Sequence, residues 1–233
     1  MSYARLVGEP IELVIFDCDG VLVDSERIAV RLNSAVLTDL GWPLTESEVI
    51  DRFVGRSNNY VREQVAARLG PRLADEAHRR LRRLGAEALD LELTAVDGIV
   101  EALDAIDIRT CVASSGSHEK MRYTLGRTGL YPRFAGRIFS ATEVANEKPA
   151  PDVFLHAADR MGVAPRHCVV VEDSQFGVWA ARAANMRVFA YGGGVTPHDL
   201  LRGPGTTIFP DMRMLPKLLA AHGTSDHRAG RNG

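Results

Sequence analysis

The sequence predicts an α/β protein built on a parallel sheet, because short runs of strand character alternate along most of the chain with patterns of helical period. The strand-like runs are IELVIF, IRTCVAS, RIFS, CVVV, RVFAY and TTIF, at residues 11–16, 108–114, 137–140, 168–171, 187–191 and 206–209. Helical patterns cover residues 98–106, 117–128, 151–161, 174–185 and 211–221. Strands and helices that alternate in this way form βαβ units, whose sheet is covered on both faces. We therefore predict a Rossmann-like, doubly wound parallel sheet.

Local signals mark the ends of individual elements. The run at 11–16 is apolar and β-branched and leads into an acidic turn with glycine, which is typical of a buried strand. Pro151 begins the helix at 151–161, and Gly162 follows its end. Thr45 and Glu48 have the spacing of a capping box, which predicts the start of another helix.

One stretch interrupts the alternation of strands and helices. Residues 25–94 contain no convincing strand, and their apolar residues recur at helical spacing. We therefore predict a helical cap domain at 25–94, inserted into an α/β core domain that consists of residues 1–24 and 95–233. Within the core, residues 222–233 are polar and rich in glycine, and we expect them to form a disordered tail.

Composition excludes several classes of protein. The chain has 28 Lys and Arg against 30 Asp and Glu, which argues against a broad nucleic-acid-binding surface. Its three cysteines are too far apart for a disulfide framework or a CxxC metal pair. No segment approaches the roughly 20 apolar residues of a membrane helix, and the N-terminus lacks a secretory apolar stretch. We expect a cytoplasmic protein without nucleic-acid or membrane partners, either a monomer or a weak homodimer.

Polar residues follow four of the predicted strands. Parallel sheets bind ligands outside the carboxyl ends of their strands, so these residues are expected to converge on one edge. They are Asp17 and Asp19 after the first strand, Ser114, Ser115 and Gly116 after the second, Lys148 in the loop beyond the third, and Glu172 and Asp173 after the fourth.

These residue types suit phosphoryl transfer. A carboxylate at Asp17 can attack phosphorus, which divides hydrolysis into two steps. Asp19 is placed to protonate the leaving oxygen and then to take a proton from water. Two carboxylates repel a phosphate unless a hard cation is present, and Asp17 and Asp173 are suitable ligands for Mg²⁺. Ser114 and Lys148, with the Ser115–Gly116 turn, can hold the phosphate oxygens.

Four segments resemble the motifs of a known family. The segments are FDCDGVLVDSE, VASSG, EKPAPDVFLHAA and VVVEDSQFGVWAARAANM. They are similar to the four motifs of the haloacid dehalogenase (HAD) superfamily, in its phosphatase and β-phosphoglucomutase branch, which carries a helical cap after the first motif. The resemblance extends over residues 11–209. It implies an aspartyl-phosphate at Asp17, acid and base catalysis by Asp19, phosphate binding by Ser114 and Lys148, and Mg²⁺ held by the Asp17 side chain, the Asp19 backbone carbonyl and Asp173, with Glu172 nearby.

Three alternatives can be weighed within this resemblance. Haloacid dehalogenases lack the second aspartate, so Asp19 argues against that activity. β-Phosphoglucomutases carry a cap histidine and a cap arginine, and the corresponding positions here are Ala29 and Asn58. A phosphate- and metal-binding switch module would share the core chemistry but has no cap. A Mg²⁺-dependent phosphatase is therefore favoured, with a phosphosugar mutase as the alternative enzyme and the switch module as the non-enzymatic one.

The cap is expected to select the substrate. Its most loop-like polar stretch is GRSN at residues 55–58, and we hypothesise that Arg56 and Asn58 face the substrate. The alternative is that Asn58 caps the next helix. We expect the substrate to be a small phosphorylated metabolite, either a sugar phosphate or a phosphorylated sugar acid.

Overall fold

A six-stranded parallel sheet forms the centre of the protein. The computed structural model describes residues 9–223. The strands lie in the order β3-β2-β1-β4-β5-β6, and every neighbouring pair is parallel. They are β1 (Leu13–Phe16), β2 (Arg109–Ser114), β3 (Ile138–Ser140), β4 (Cys168–Glu172), β5 (Arg187–Tyr191) and β6 (Thr206–Phe209). The predicted doubly wound sheet is confirmed, with β1 at its centre.

Helices cover both faces of this sheet. They are α5 (Ile99–Asp104), α6 (His118–Arg127), α7 (Tyr131–Phe134), α8 (Asp152–Met161), α9 (Gln175–Ala183), α10 (His198–Leu201) and α11 (Leu215–Gly223). Successive side chains of a strand point to opposite faces. Val14 and Phe16 accordingly lie in one buried cluster, whereas Leu13 and Ile15 lie in the other. Burial on both faces explains why this strand is apolar throughout.

Four helices between β1 and α5 form a helical cap. Its helices are α1 (Glu26–Asp39), α2 (Glu46–Phe53), α3 (Asn58–Leu69) and α4 (Pro71–Glu92), and they share an apolar cluster of their own. The capping box before α2 is present, since Thr45 Oγ1 accepts from the Glu48 backbone N–H at 3.2 Å and Glu48 Oε2 accepts from the Thr45 N–H at 2.9 Å. An inserted helical cap is thus confirmed, while the domain boundaries at 24/25 and 94/95 stay a prediction.

The C-terminal region differs from the sequence prediction. The helix predicted over 211–221 is divided in two. Met212–Met214 forms a short 3₁₀ helix that Asp211 caps, and α11 begins at Leu215 with Pro216 in its first turn. It then continues through His222 and Gly223, so the predicted tail at 222–233 is wrong for these two residues. His222 is held there by its carbonyl oxygen, which accepts from Arg187 Nη1 at 3.2 Å. The rest of that tail lies outside the described residues. Within residues 9–223, no helix combines the length and apolar character that crossing a membrane requires.

Candidate active site

The carboxyl ends of the central strands border a cavity of about 460 Å³ between the core and the cap. The core contributes most of the residues that sequence reasoning placed at this edge, and the cap contributes Glu26 and residues 55–59. The lining includes Asp17, Asp19, Ser114, Ser115, Gly116 and Lys148 from the predicted site, Arg56 and Asn58 from the predicted cap loop, and Glu26, Ser57, Ser117, Lys120, Thr142 and Glu147 in addition. Glu172 and Asp173 are not part of the lining, and both are buried.

Lys148 joins the first and fourth strands at the floor of the site. Its ammonium Nζ lies 2.6 Å from Asp17 Oδ1 and 2.8 Å from Glu172 Oε1. Burial raises the pKa of Asp17 to about 7, although Lys148 opposes this shift. Burial alone would lower the pKa of Lys148, but the carboxylates of Asp17 and Glu172 outweigh it and raise that pKa above its usual value. A charged lysine is therefore fixed beside the candidate nucleophile.

Glu172 supports this lysine with both of its carboxylate oxygens occupied. Oε1 accepts from Lys148, and Oε2 accepts from the backbone N–H of Ser174 at 2.7 Å and from its hydroxyl at 2.9 Å. The same hydroxyl accepts from the N–H of Gly177 and caps the N-terminus of α9. A Cβ at Gly177 would lie only 1.6 Å from Glu172 Oε1, so the glycine leaves room for the carboxylate. Glu172 is thus held as a partner of Lys148, and its predicted place beside a metal ion stays a prediction.

Asp19 is held by two donors that sequence reasoning did not identify. The Ser25 hydroxyl donates to Oδ1 at 2.5 Å, and Lys120 Nζ donates to Oδ2 at 2.8 Å. Burial would raise the pKa of Asp19, but Lys120 and these hydrogen bonds lower it below its usual value. The nearby carboxyl of Glu26 has its pKa raised to about 8, first by burial and then by Asp19. Ser25 and Glu26 belong to the DSE triplet at the end of the first motif, a signal that was available in the sequence.

Asp173 carries an oxygen without a hydrogen-bond partner. Its Oδ2 is buried and unpaired, and burial, followed by the charge of Glu172, raises its pKa well above the usual value. A Cβ at Gly20 would lie 2.1 Å from this oxygen, so only a glycine fits against it. Burial of a bare carboxylate oxygen is costly, and a hard cation is the partner that such an oxygen suits.

The donors around Asp173 are few. Across residues 9–223, no three His, Cys, Asp or Glu side chains form a group arranged to hold a metal ion. A cation at this edge would therefore depend on two carboxylates together with backbone, water or substrate oxygens. Mg²⁺ usually binds proteins in that way, so the residues present fit it.

Arg56 connects the cap to the core. Its Nη1 donates to the backbone oxygen of Lys148 at 2.7 Å. Its guanidinium lies 3.7 Å above the ring of Tyr60 and 4.7 Å from the ring centre of Phe176, a residue of α9. The arginine borders the cavity, but one of its guanidinium nitrogens already binds the loop that carries Lys148. That Arg56 faces the substrate stays a prediction.

The next two cap residues have different roles. Ser57 is the N-cap of α3, since its hydroxyl accepts from the Tyr60 N–H at 3.1 Å, and it donates to Glu147 Oε2 at 2.5 Å. Asn58 is the first residue of the helix and borders the cavity. The alternative in which Asn58 caps α3 is therefore wrong.

Comparison with known proteins places this geometry in a family. A family model for haloacid dehalogenase-like hydrolases matches residues 11–185. The 6-phosphogluconate phosphatase of Escherichia coli (strain K12) is 35% identical over 215 residues, which make up 91% of this chain and 96% of that protein.

Two solved structures extend this similarity to the fold. A haloacid dehalogenase-like protein from Agrobacterium tumefaciens str. C58 is 37% identical, with a TM-score of 0.78 over 91% of this chain and 98% of the other. A HAD family hydrolase from Deinococcus radiodurans R1, solved with bound phosphate and sodium, is 28% identical, with a TM-score of 0.72 over 92% and 97%. The predicted enzyme class, a HAD-like phosphatase, is confirmed. The chain belongs to the haloacid dehalogenase-like hydrolase family.

Proposed function

We propose that this protein is a Mg²⁺-dependent phosphatase that hydrolyses a small phosphorylated metabolite through an aspartyl-phosphate on Asp17. The observation that carries the proposal is the convergence of Asp17, Asp19, Ser114 and Lys148 on one cavity, with Lys148 Nζ only 2.6 Å from Asp17 Oδ1. A carboxylate nucleophile, a second carboxyl for proton transfer and a fixed ammonium are the groups that a two-step hydrolysis needs.

In the first step, a carboxylate oxygen of Asp17 forms a bond to phosphorus while the bond from phosphorus to the leaving oxygen breaks. Asp19 enters this step in its protonated form and gives that proton to the leaving oxygen, so the leaving group departs as a neutral alcohol. Lys148 and the Ser114 hydroxyl donate to the phosphoryl oxygens as their charge redistributes. In the second step, water attacks the phosphorus of the acyl phosphate and gives a proton to Asp19. Inorganic phosphate then leaves, and Asp17 is regenerated.

The side chains of Asp17 and Asp173, with the backbone carbonyl of Asp19, would hold Mg²⁺. The bound cation would offset the negative charge of the carboxylates and the phosphate. The buried, unpaired Oδ2 of Asp173 supports this assignment from the structure itself. The assignment for Asp17 and the Asp19 carbonyl comes from the family.

The cavity walls favour a polyhydroxylated leaving group. Beyond the phosphate-binding residues, the lining carries the amide side chains of Asn58 and Asn59 and the hydroxyls of Ser117 and Thr142. Such groups can donate to and accept from sugar hydroxyls. The similarity to a 6-phosphogluconate phosphatase supports a phosphorylated sugar acid or sugar phosphate. A cytoplasmic location and a monomeric or weakly dimeric state belong to the same proposal.

The test is phosphate release from a panel of phosphoesters in Mg²⁺, including 6-phosphogluconate, glucose 6-phosphate and fructose 1-phosphate. Asp17→Asn should abolish turnover, whereas Asp104→Asn, at an exposed carboxylate paired with Arg133, should leave it unchanged. Removal of divalent cations with EDTA should also abolish it. Wild-type activity in Asp17→Asn would refute the nucleophile, and full activity in EDTA would refute the metal requirement.

The mutase alternative is examined with β-glucose 1-phosphate and a bisphosphate primer. Conversion to glucose 6-phosphate that is faster than phosphate release would replace the phosphatase by a phosphosugar mutase. Absence of both reactions, together with saturable phosphate and Mg²⁺ binding, would favour the switch module.

A further inference from the structure

Lys120 occupies an unusual place for a cation. It lies in the first turn of α6, where its backbone N–H donates to the capping hydroxyl of Ser117 at 3.2 Å. The N-terminal end of a helix carries a partial positive charge and favours acidic side chains there, not a lysine. The position is therefore explained by what the side chain reaches: it crosses to the edge of the cavity, and its Nζ lies 2.8 Å from Asp19 Oδ2.

The two oxygens of Asp19 are held from two different parts of the fold. Ser25, whose hydroxyl bonds to Oδ1, is the residue that precedes the first cap helix. Lys120, which bonds to Oδ2, belongs to a core helix. Ser25 is buried, whereas the side chain of Lys120 is 37% exposed and borders the cavity. Of the two donors, Lys120 is thus the one beside the space in which a leaving group would lie.

We propose that Lys120 is a positioning residue for the leaving-group side of the reaction. Lys120 holds the Asp19 carboxyl in the orientation from which Asp19 gives its proton to the leaving oxygen. This inference rests on the proposed function, because it assumes that Asp19 is the general acid. Lys120 forms no bond to phosphorus and transfers no proton. Its contribution is to fix the orientation of the Asp19 carboxyl from α6, a helix of the core.

A positioning role of this kind has a measurable signature. An alkoxide leaving group, such as that of a sugar phosphate, needs a proton as its bond to phosphorus breaks, whereas p-nitrophenolate leaves readily without one. Loss of Lys120 should therefore slow the first substrate and spare the second. The ratio kcat/KM is the right measure, because it reports the steps up to departure of the leaving group and excludes the later hydrolysis of the acyl phosphate.

The experiment compares Lys120→Met, Lys120→Arg and Asp19→Asn on p-nitrophenyl phosphate and on 6-phosphogluconate, or on the sugar phosphate that the panel shows to be turned over fastest. In Lys120→Met we expect kcat/KM for the sugar phosphate to fall on the order of 10- to 100-fold. The value for p-nitrophenyl phosphate should stay within about threefold of wild type. Lys120→Arg should recover part of the loss, because it keeps a cationic donor. Lys217→Met removes an exposed lysine of α11 and should change neither value.

An equal loss of kcat/KM for both substrates in Lys120→Met would overturn the proposal. It would indicate that Lys120 binds the phosphate or that the variant folds poorly, and a thermal unfolding scan would distinguish these two causes. No loss for either substrate would overturn it as well. If Asp19→Asn itself lacks the leaving-group dependence, then Asp19 is not the acid and the inference fails with it. If Asp17→Asn is inactive and Asp19→Asn is selective while Lys120→Met is not, the proposed function stands and the role of Lys120 alone is refuted.

Discussion

Gly177 allows a sharp test of the packing beneath the site. It lies in the first turn of α9 and borders no part of the cavity, yet a Cβ there would lie 1.6 Å from Glu172 Oε1 and 1.9 Å from its Cδ. In Gly177→Ala the carboxylate would have to move by roughly 1.5 Å or more to reach ordinary contact distances. Lys148 and Ser174 hold that carboxylate at 2.8 and 2.7 Å, so a shift of this size breaks both hydrogen bonds.

The magnitude follows from these contacts. Breaking a buried ion pair by displacing one partner costs about 3–5 kcal/mol. Alanine in place of glycine inside a helix returns about 1 kcal/mol. The free energy of unfolding of Gly177→Ala should therefore fall by roughly 2–4 kcal/mol, which corresponds to a Tm lower by roughly 5–15 °C for a chain of this size. Because Lys148 also loses its support beside Asp17, phosphatase activity should fall by at least on the order of tenfold.

The assay is urea unfolding of wild type and variant, together with phosphate release under identical conditions. Gly85→Ala is the matched control, because Gly85 also lies inside a helix, α4, and a Cβ there meets nothing within 4 Å. That variant should be more stable by up to about 1 kcal/mol and fully active. If Gly177→Ala proves as stable and as active as Gly85→Ala, Glu172 is free to move and its support of Lys148 is refuted.

Three further predictions concern the cap, Arg187 and the metal. Arg56→Ala removes the bond to the Lys148 carbonyl and the stacking on two rings, so kcat/KM should fall on the order of tenfold in steady-state kinetics. An unchanged value would show that these contacts do not contribute to catalysis. Arg187→Met leaves the carbonyls of Glu9 and His222 without their donor. Urea unfolding should show a free energy of unfolding that is lower by about 1–3 kcal/mol with kcat unchanged, and undiminished stability would contradict this. Burial raises the pKa of Asp17 from 3.8 to about 7 in the metal-free protein, so the stability that its protonation supplies is lost as the pH rises through that value. If Asp17 holds Mg²⁺ as proposed, the cation binds its carboxylate form and competes with the proton. Mg²⁺ should therefore raise Tm more at about pH 8 than at about pH 6 in scanning fluorimetry, and equal shifts would contradict this.

Much of the fold could be predicted from local pattern. A strand buried on both faces must be apolar throughout, so runs such as IELVIF reveal the sheet without any knowledge of its neighbours. The same holds for the polar residues at the strand ends, because a parallel sheet brings its carboxyl ends to one edge. Asp17 and Lys148 could be assigned to one site in this way, although 131 positions separate them in the chain.

The limits of individual elements were less predictable. His222 reads as part of a polar tail, but Arg187 holds its carbonyl from across the fold and the helix continues to Gly223. The helix predicted from residue 211 is instead a 3₁₀ turn at Met212–Met214 followed by an α-helix from Leu215. Such limits depend on which buried donor meets which carbonyl, and this information is absent from the local pattern.

The partners of each reactive group required the folded structure. Lys120 and Asp19 are 101 positions apart, and nothing in the spacing of either motif indicates that they meet. The sequence indicates that Glu172 lies near a metal ion, but only the fold reveals that its carboxylate meets Lys148, held by the turn at Ser174 and accommodated by the bare backbone of Gly177. The reason is physical: residue type and strand position decide which edge of the sheet a group occupies. Which donor satisfies a given carboxylate depends on distances of a few ångströms, and only the packing of helices and cap against the sheet sets those distances.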